Sequence, residues 1–198
     1  MSLSAPTLGS LIDSNLAGYG ANGSNRTIFS NAIAAGIVMS ISGKSFATLD
    51  AGSVPGFGAG SGVGLTGLNP TNMTSTSISI MPSVGVNANN FLMAIMNAVV
   101  THLSSSATLT STHTPVFAGV GTIVIGSIPV SITEMKNNID SQLSLAGAVG
   151  SNRTVLSNVI ATGIVTEILN SATGTVVIVG SPSGTPSGGS GAGVGVIS

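Results

Sequence analysis

Residues 23–38 read GSNRTIFSNAIAAGIV and residues 150–165 read GSNRTVLSNVIATGIV, identical at 12 of 16 positions at a separation of 127. The same separation lays Ile12-Asp13-Ser14 over Ile139-Asp140-Ser141. No other feature constrains the fold as much, because repeated segments bury their apolar faces against their own copies. A third copy lies between them. Asn89 to Leu103 reads NNFLMAIMNAVVTHL, and a separation of 62 from the first copy places Phe91 on Phe29, Ile95 on Ile33, Ala98 on Gly36 and Val99 on Ile37. A further separation of 65 carries the register to Leu156, Ile160, Gly163 and Ile164. Apolar residues at steps of four, ending on Ile41, Leu103 and Ile168, define one buried helix face in each copy.

Those helices, Thr27 to Ile41, Asn89 to Leu103 and Thr154 to Leu169, are expected to share a core, with Phe29, Ile33, Phe91, Ile95, Leu156 and Ile160 turned inward. Gly36, Ala98 and Gly163 fall within the apolar face. A helix-interior glycine costs roughly 1 kcal/mol against alanine, so these small residues predict close helix crossings. Ser24, Asn89 and Ser151 are candidate N-caps. A weaker helical stretch precedes each main helix: Pro6 to Leu16, Pro70 to Met81 and Ile132 to Leu145, with Asn69-Pro70 as a cap and N1 pair. After each main helix come β-rich segments, Ser45 to Leu49, Ala107 to Thr112 and Thr175 to Val179. Their expected hairpin partners are Val63 to Leu68, Gly121 to Ile125 and Gly193 to Ile197. The expected fold is therefore α+β: three tandem helix-helix-β-hairpin modules, about 6–69, 70–131 and 132–198, sharing one core within a single domain of residues 1–198. The Gly-rich stretches 52–64 and 180–195 are expected to form long hairpin loops or extended arms that lie on a neighbouring subunit.

Charge narrows the function. The chain has four Lys or Arg and five Asp or Glu among 198 residues, 5% in all, against about a quarter in ordinary globular proteins. Such a surface offers little repulsion between copies and tends to associate. Nucleic-acid binding needs clustered cations or stacking aromatics, and four scattered basic residues with 3% aromatics supply neither. With no Cys there is no disulfide, thiolate or Cys-ligated metal. The first residues lack a basic segment followed by a sustained apolar one, and the apolar run Ala32 to Met39 is too short to span a bilayer, so a soluble protein made in the cytosol is expected.

Motifs that carry chemistry lose their context here. Gly18-Tyr-Gly-Ala-Asn-Gly23 satisfies GxGxxG, but it follows a helical pattern where a dinucleotide loop follows a strand. Gly43-Lys44-Ser45 resembles the end of a P-loop, yet Val38 stands where that motif needs glycine. His102, His113 and Glu134 lack paired ligand spacing, and the positions aligned with His102 are Ser40 and Glu167, which predicts an outward-facing polar site. Serines are plentiful without a GxSxG elbow, so neither catalysis nor a cofactor nor a metal is expected. Asp13 and Arg26 are 13 residues apart, as are Asp140 and Arg153, while the middle copy has Ser75 and Ala88 at those places. Joint presence and joint loss predict two structural ion pairs, Asp13 with Arg26 and Asp140 with Arg153.

The AIAxGIV-type helices (Ala32 to Val38, Val159 to Val165) and the glycine-alternating segments Gly58 to Gly64 and Gly189 to Gly195 resemble the Ser/Thr/Gly-rich, charge-poor virion structural proteins of tailed bacteriophages, particularly small repeat-containing tail and baseplate proteins. The resemblance implies a non-catalytic subunit of a virion, made in the host cytoplasm, whose partners are other virion proteins or copies of itself. Three modules suit an adaptor on a trimeric spike. A many-copy capsid decoration or tube protein is the alternative in the same class. A cell-surface or carbohydrate-binding module is the alternative in another, although one Tyr and no Trp offer little stacking surface for sugars.

Overall fold

The computed structural model describes residues 3–23, 25–42, 45–52, 58–63, 67–81, 85, 87–106, 108–113, 118–124, 131–171, 173–182 and 189–197, the strands by their backbone. The elements run α1 (Ala5–Gly18), α2 (Arg26–Ile41), β1 (Ser45–Gly52), β2 (Gly58–Val63), α3 (Pro70–Ile80), α4 (Ala88–Ser106), β3 (Thr108–His113), β4 (Ala118–Val124), α5 (Ile132–Leu145), α6 (Asn152–Ser171), β5 (Thr173–Pro182) and β6 (Gly189–Ile197). Each copy thus begins with a helical hairpin. Its first helix opens on a side-chain cap: Ser4 accepts from the Thr7 N–H, Asn69 from Thr71 and Asn72, and Ser131 from Glu134. These caps satisfy backbone donors that have no partner inside the helix. The second helices start differently. Asn25 precedes α2 without a side-chain cap bond, Asn89 lies inside α4, whose first residue is Ala88, and Ser24 falls outside the described residues.

The helices close into a ring. Each packs on the next in sequence, and α6 returns to α1. The first helices bury one stripe each, Leu8, Ile12 and Leu16 on α1, Met73, Thr74 and Ser77 on α3, and Met135, Ile139 and Leu143 on α5. The second helices bury most of their circumference; on α2 alone Ser30, Ala32, Ile33, Ala34, Gly36, Ile37, Val38 and Ile41 are buried. A helix with two neighbours from the first set and the ring interior on its third side needs apolar or small residues nearly all round, which is why its sequence is so uniformly apolar.

The expected α+β architecture of modules sharing one core is corrected by these positions. Among residues whose side-chain surroundings are described, 81% are helical, and every buried core residue except Leu3 belongs to a helix. The hairpins do not complete three module cores. Their backbones instead pair around a separate closed barrel in the order β1-β2-β3-β4-β5-β6, all antiparallel, with β6 returning to β1 over Ser45↔Val196 to Gly52↔Gly189. Of the helices, α4 approaches it, at β2. Of the two readings of the Gly-rich stretches, the one that lays arms on a neighbouring subunit is corrected, because Gly58–Val63 and Gly189–Ile197 are strands of this chain's own barrel; residues 53–57 and 183–188 lie outside the described residues. Closure also removes the open strand edges that would favour pairing with other chains.

Alignment of the buried residues revises the repeat register. The second helices superpose at separations of 62 and 65, through Phe29, Phe91 and Leu156. The first helices superpose as Leu8, Met73 and Met135, and as Ile12, Ser77 and Ile139, with separations of 65 and 62. The order reverses because α3 closes three residues sooner after its aligned core position than α1 and α5 do, Ser77 to Ile80 against Ile12 to Gly18 and Ile139 to Leu145. Ile78, not Ser75, is therefore the counterpart of Asp13.

Two predicted crossings are tight. A Cβ on Gly36 would meet Ser77 Oγ, the Met73 carbonyl oxygen at 2.6 Å and Met96 Cε at 3.3 Å, so α2 lies almost backbone to backbone on α3. A Cβ on Gly163 would meet Ile12 Cγ1 at 2.8 Å, where α6 crosses α1. Ala98, 1% exposed, holds the matching place on α4, which packs on α5. Ile33, Ile95 and Ile160 are fully buried, whereas Phe29, Phe91 and Leu156 are only partly buried, their side chains near the mouth of the ring. The Phe29 and Phe91 rings are 6.2 Å apart, tilted by 44°, and join α2 to α4.

Candidate functional site

The turns joining the paired helices all lie at the end of the ring remote from the chain's passage into strands. Two of them are built alike. After α1, Gly20 takes φ +82°, its N–H donates to Ala17 O, and the Ala21 N–H donates to Leu16 O. After α5, Gly147 takes φ +83°, with bonds from its N–H to Ser144 O and from Ala148 N–H to Leu143 O. This left-handed glycine closure satisfies the last helix carbonyls and turns the chain back. It also explains the GxGxxG string: Gly18 and Gly20 end a helix.

The ion pairs brace those turns. Arg26 Nε donates to Asp13 Oδ1 at 2.8 Å and Nη2 to Asp13 Oδ2 at 3.0 Å, while Nη1 reaches Ala21 O at 2.7 Å. Arg153 repeats the set, to Asp140 Oδ1 at 3.0 Å, Asp140 Oδ2 at 3.2 Å and Ala148 O at 3.1 Å. The Thr27 and Thr154 hydroxyls add a third bond to each carboxylate. The forked arginine bond holds both Asp carboxyls below the ordinary carboxylate range, with the threonine hydroxyl helping, and each guanidinium has all three nitrogens engaged. Neither carboxylate is poised to exchange a proton near neutral pH. The groups are structural clamps, one for each of these two turns.

Between the two clamped turns is a cavity of about 420 Å³, lined by Leu16, Phe91, Leu143, Val155 and Leu156 with Asn152 and Arg153 at its polar side. Tyr19, the chain's one tyrosine, borders it and accepts from Asn158 Nδ2 at 3.3 Å, tying the first turn to α6. Around this end Tyr19 is 59% exposed, Leu145 81% and Val149 91%, and Ile80 at the close of α3 is also exposed. Sequence reasoning passed over these residues. Their signal was position: Tyr19 stands where the third copy has Ala146, and apolar residues in turns have no helix face to serve.

At the opposite end the predicted outward-facing polar position is corrected. Ser40 is partly exposed, but His102 and Glu167 are each 1% exposed. Glu167 Oε1, on the adjacent α6, accepts from the Ser4 N–H at 3.0 Å and so braces the start of α1. His102 Nε2 makes no hydrogen bond. These side chains point inward because the ring curls the second helices between two first helices, so a position polar in all copies still faces a neighbour. Glu134 is exposed on the first turn of α5; His113 belongs to β3, described by its backbone, and Lys44 lies outside the described residues. Among the described residues no group of three or more His, Cys, Asp or Glu could hold a metal ion, and no helix is long and apolar enough to cross a membrane. Compared with protein families, curated proteins and solved structures, the chain matches none.

Proposed function

We propose that this chain is a non-catalytic structural subunit of a viral particle, an adaptor in a phage tail, baseplate or spike. The observation that carries the reading is the ring itself: three related helical hairpins and three strand pairs close within one polypeptide, so the molecule offers a threefold-symmetric frame whose corners differ in sequence. A single chain of this form can seat against a trimer while marking one corner as distinct. The exposed Tyr19, Ile80, Leu145 and Val149 on the turn end supply an apolar contact face, and the clamps Asp13–Arg26 and Asp140–Arg153 hold two of its corners rigid. A rigid contact face loses little freedom on binding.

Quantitative mass spectrometry of purified particles tests this. The expected result is one chain for each trimeric structure. Several hundred copies per particle would make it a decoration or tube protein, and absence from the particle would end the virion reading.

A further inference from the structure

We propose that the junction of α4 with α5 is an acid-sensitive release point, at which uptake of a proton by His102 parts the last turn of α4 from the start of α5. The imidazole is 1% exposed and its Nε2 has no hydrogen-bond partner. A neutral ring tolerates such a place at modest cost, but a cation there would be desolvated and short of acceptors. The surroundings do little to relieve that charge. On α5 the facing carboxylate is Glu134, which is exposed and attracts the cation weakly from solvent; Lys136 on the same helix brings no negative charge, and Asp140 is held by Arg153. Neither α3 nor β2 contains a titratable residue. The N-terminal end of α5 carries the positive end of its helix dipole and repels the cation.

The repeat isolates the effect to one junction of three. Ser40 on α2 does not titrate, and on α6 Glu167 has its Ser4 N–H partner. His102 is also placed to transmit the change, because α4 ends at Ser106 and β3 begins at Thr108. Burial pushes the imidazole below its ordinary value, with Glu134 opposing. Its neutral form is thus the one the fold favours: the stabilisation is complete above the ordinary histidine range and drains away as pH falls through it.

Urea unfolding followed by circular dichroism at pH 7.5 and pH 5, on the wild type and His102→Leu, reads the effect. The wild-type folding constant should fall by up to about 30-fold more than that of the variant, the limit for a group of ordinary value about 6.5 that cannot ionise while folded. If the variant does not fold, NMR titration of the wild type decides, with His113→Gln assigning the resonances. Here His102 should remain neutral until amide exchange in residues 99–106 accelerates. Equal pH dependence in wild type and variant, or a histidine that titrates at its ordinary midpoint with no change in exchange, would overturn the proposal.

Discussion

Arg26 and Arg153 each hold a carboxylate on the preceding helix and a turn carbonyl, and the threonine next to each on its own helix donates to the same carboxylate. Such a forked contact is specific to guanidinium geometry, so Arg26→Lys should not substitute for it. We expect Arg26→Lys and Arg26→Ala to lower the melting temperature alike. Asp13→Asn and Arg26→Ala should combine less than additively in a double-mutant cycle; strict additivity would show that the contact is idle. Because both Asp carboxyls are depressed, their contribution is present above the ordinary carboxylate range and lost as pH falls through the depressed values, below about pH 4. Acid titration of Asp13→Asn with Asp140→Asn should therefore show a flatter stability profile there than the wild type. Both pairs were legible from paired appearance alone. The fate of His102 was not, since Ser, His and Glu at one aligned position are the usual mark of a wetted face, and only the curl of the ring turns that position inward.

Helix crossings set a sharper scale of consequence. At Gly36 an added methyl would press on the Met73 carbonyl, which cannot move without shifting α3, whereas at Gly163 it would press on Cγ1 of the Ile12 side chain, with the α1 backbone no nearer than 3.5 Å. Gly36→Ala should accordingly destabilise by about 1–3 kcal/mol and Gly163→Ala by less, measured by chemical denaturation. A reversed order would mean that the two crossings are not as close as described. The second helices were readable because Phe29, Phe91 and Leu156 begin the same apolar ladder in each. The register of α3 was not. Pro70 to Ile80 is dominated by Ser and Thr, so no apolar ladder signals that this helix closes three residues early, and the separation of 62 that fits the second helices puts Ser75 opposite Asp13 where Ile78 stands. Nor could local pattern show that β6 pairs with β1, a partner roughly 140 residues distant in sequence, when each strand already had a plausible hairpin mate beside it.

The whole molecule is closed twice, once in helices and once in strands, and each closure joins the first copy to the last. A fragment of residues 132–198 would keep α5 with α6 but lose the α4 and α1 surfaces on either side. We expect it to be unfolded as a monomer or to recover the ring as a trimer, and sedimentation with circular dichroism would separate these outcomes from a folded monomer, which would contradict a shared core. Double closure also dictates when the protein can be finished. During synthesis α1 waits for α6 and β1 waits for β6, whose last residue is Ile197. Until that segment leaves the ribosome, apolar Leu8 and Ile12 and the free side of β1 face whatever is nearest, which makes neighbouring nascent chains competitors for the same contacts. Spacing between ribosomes on one message, more than the strength of any single contact, should then govern how much of this protein closes on itself and how much becomes entangled with its twin.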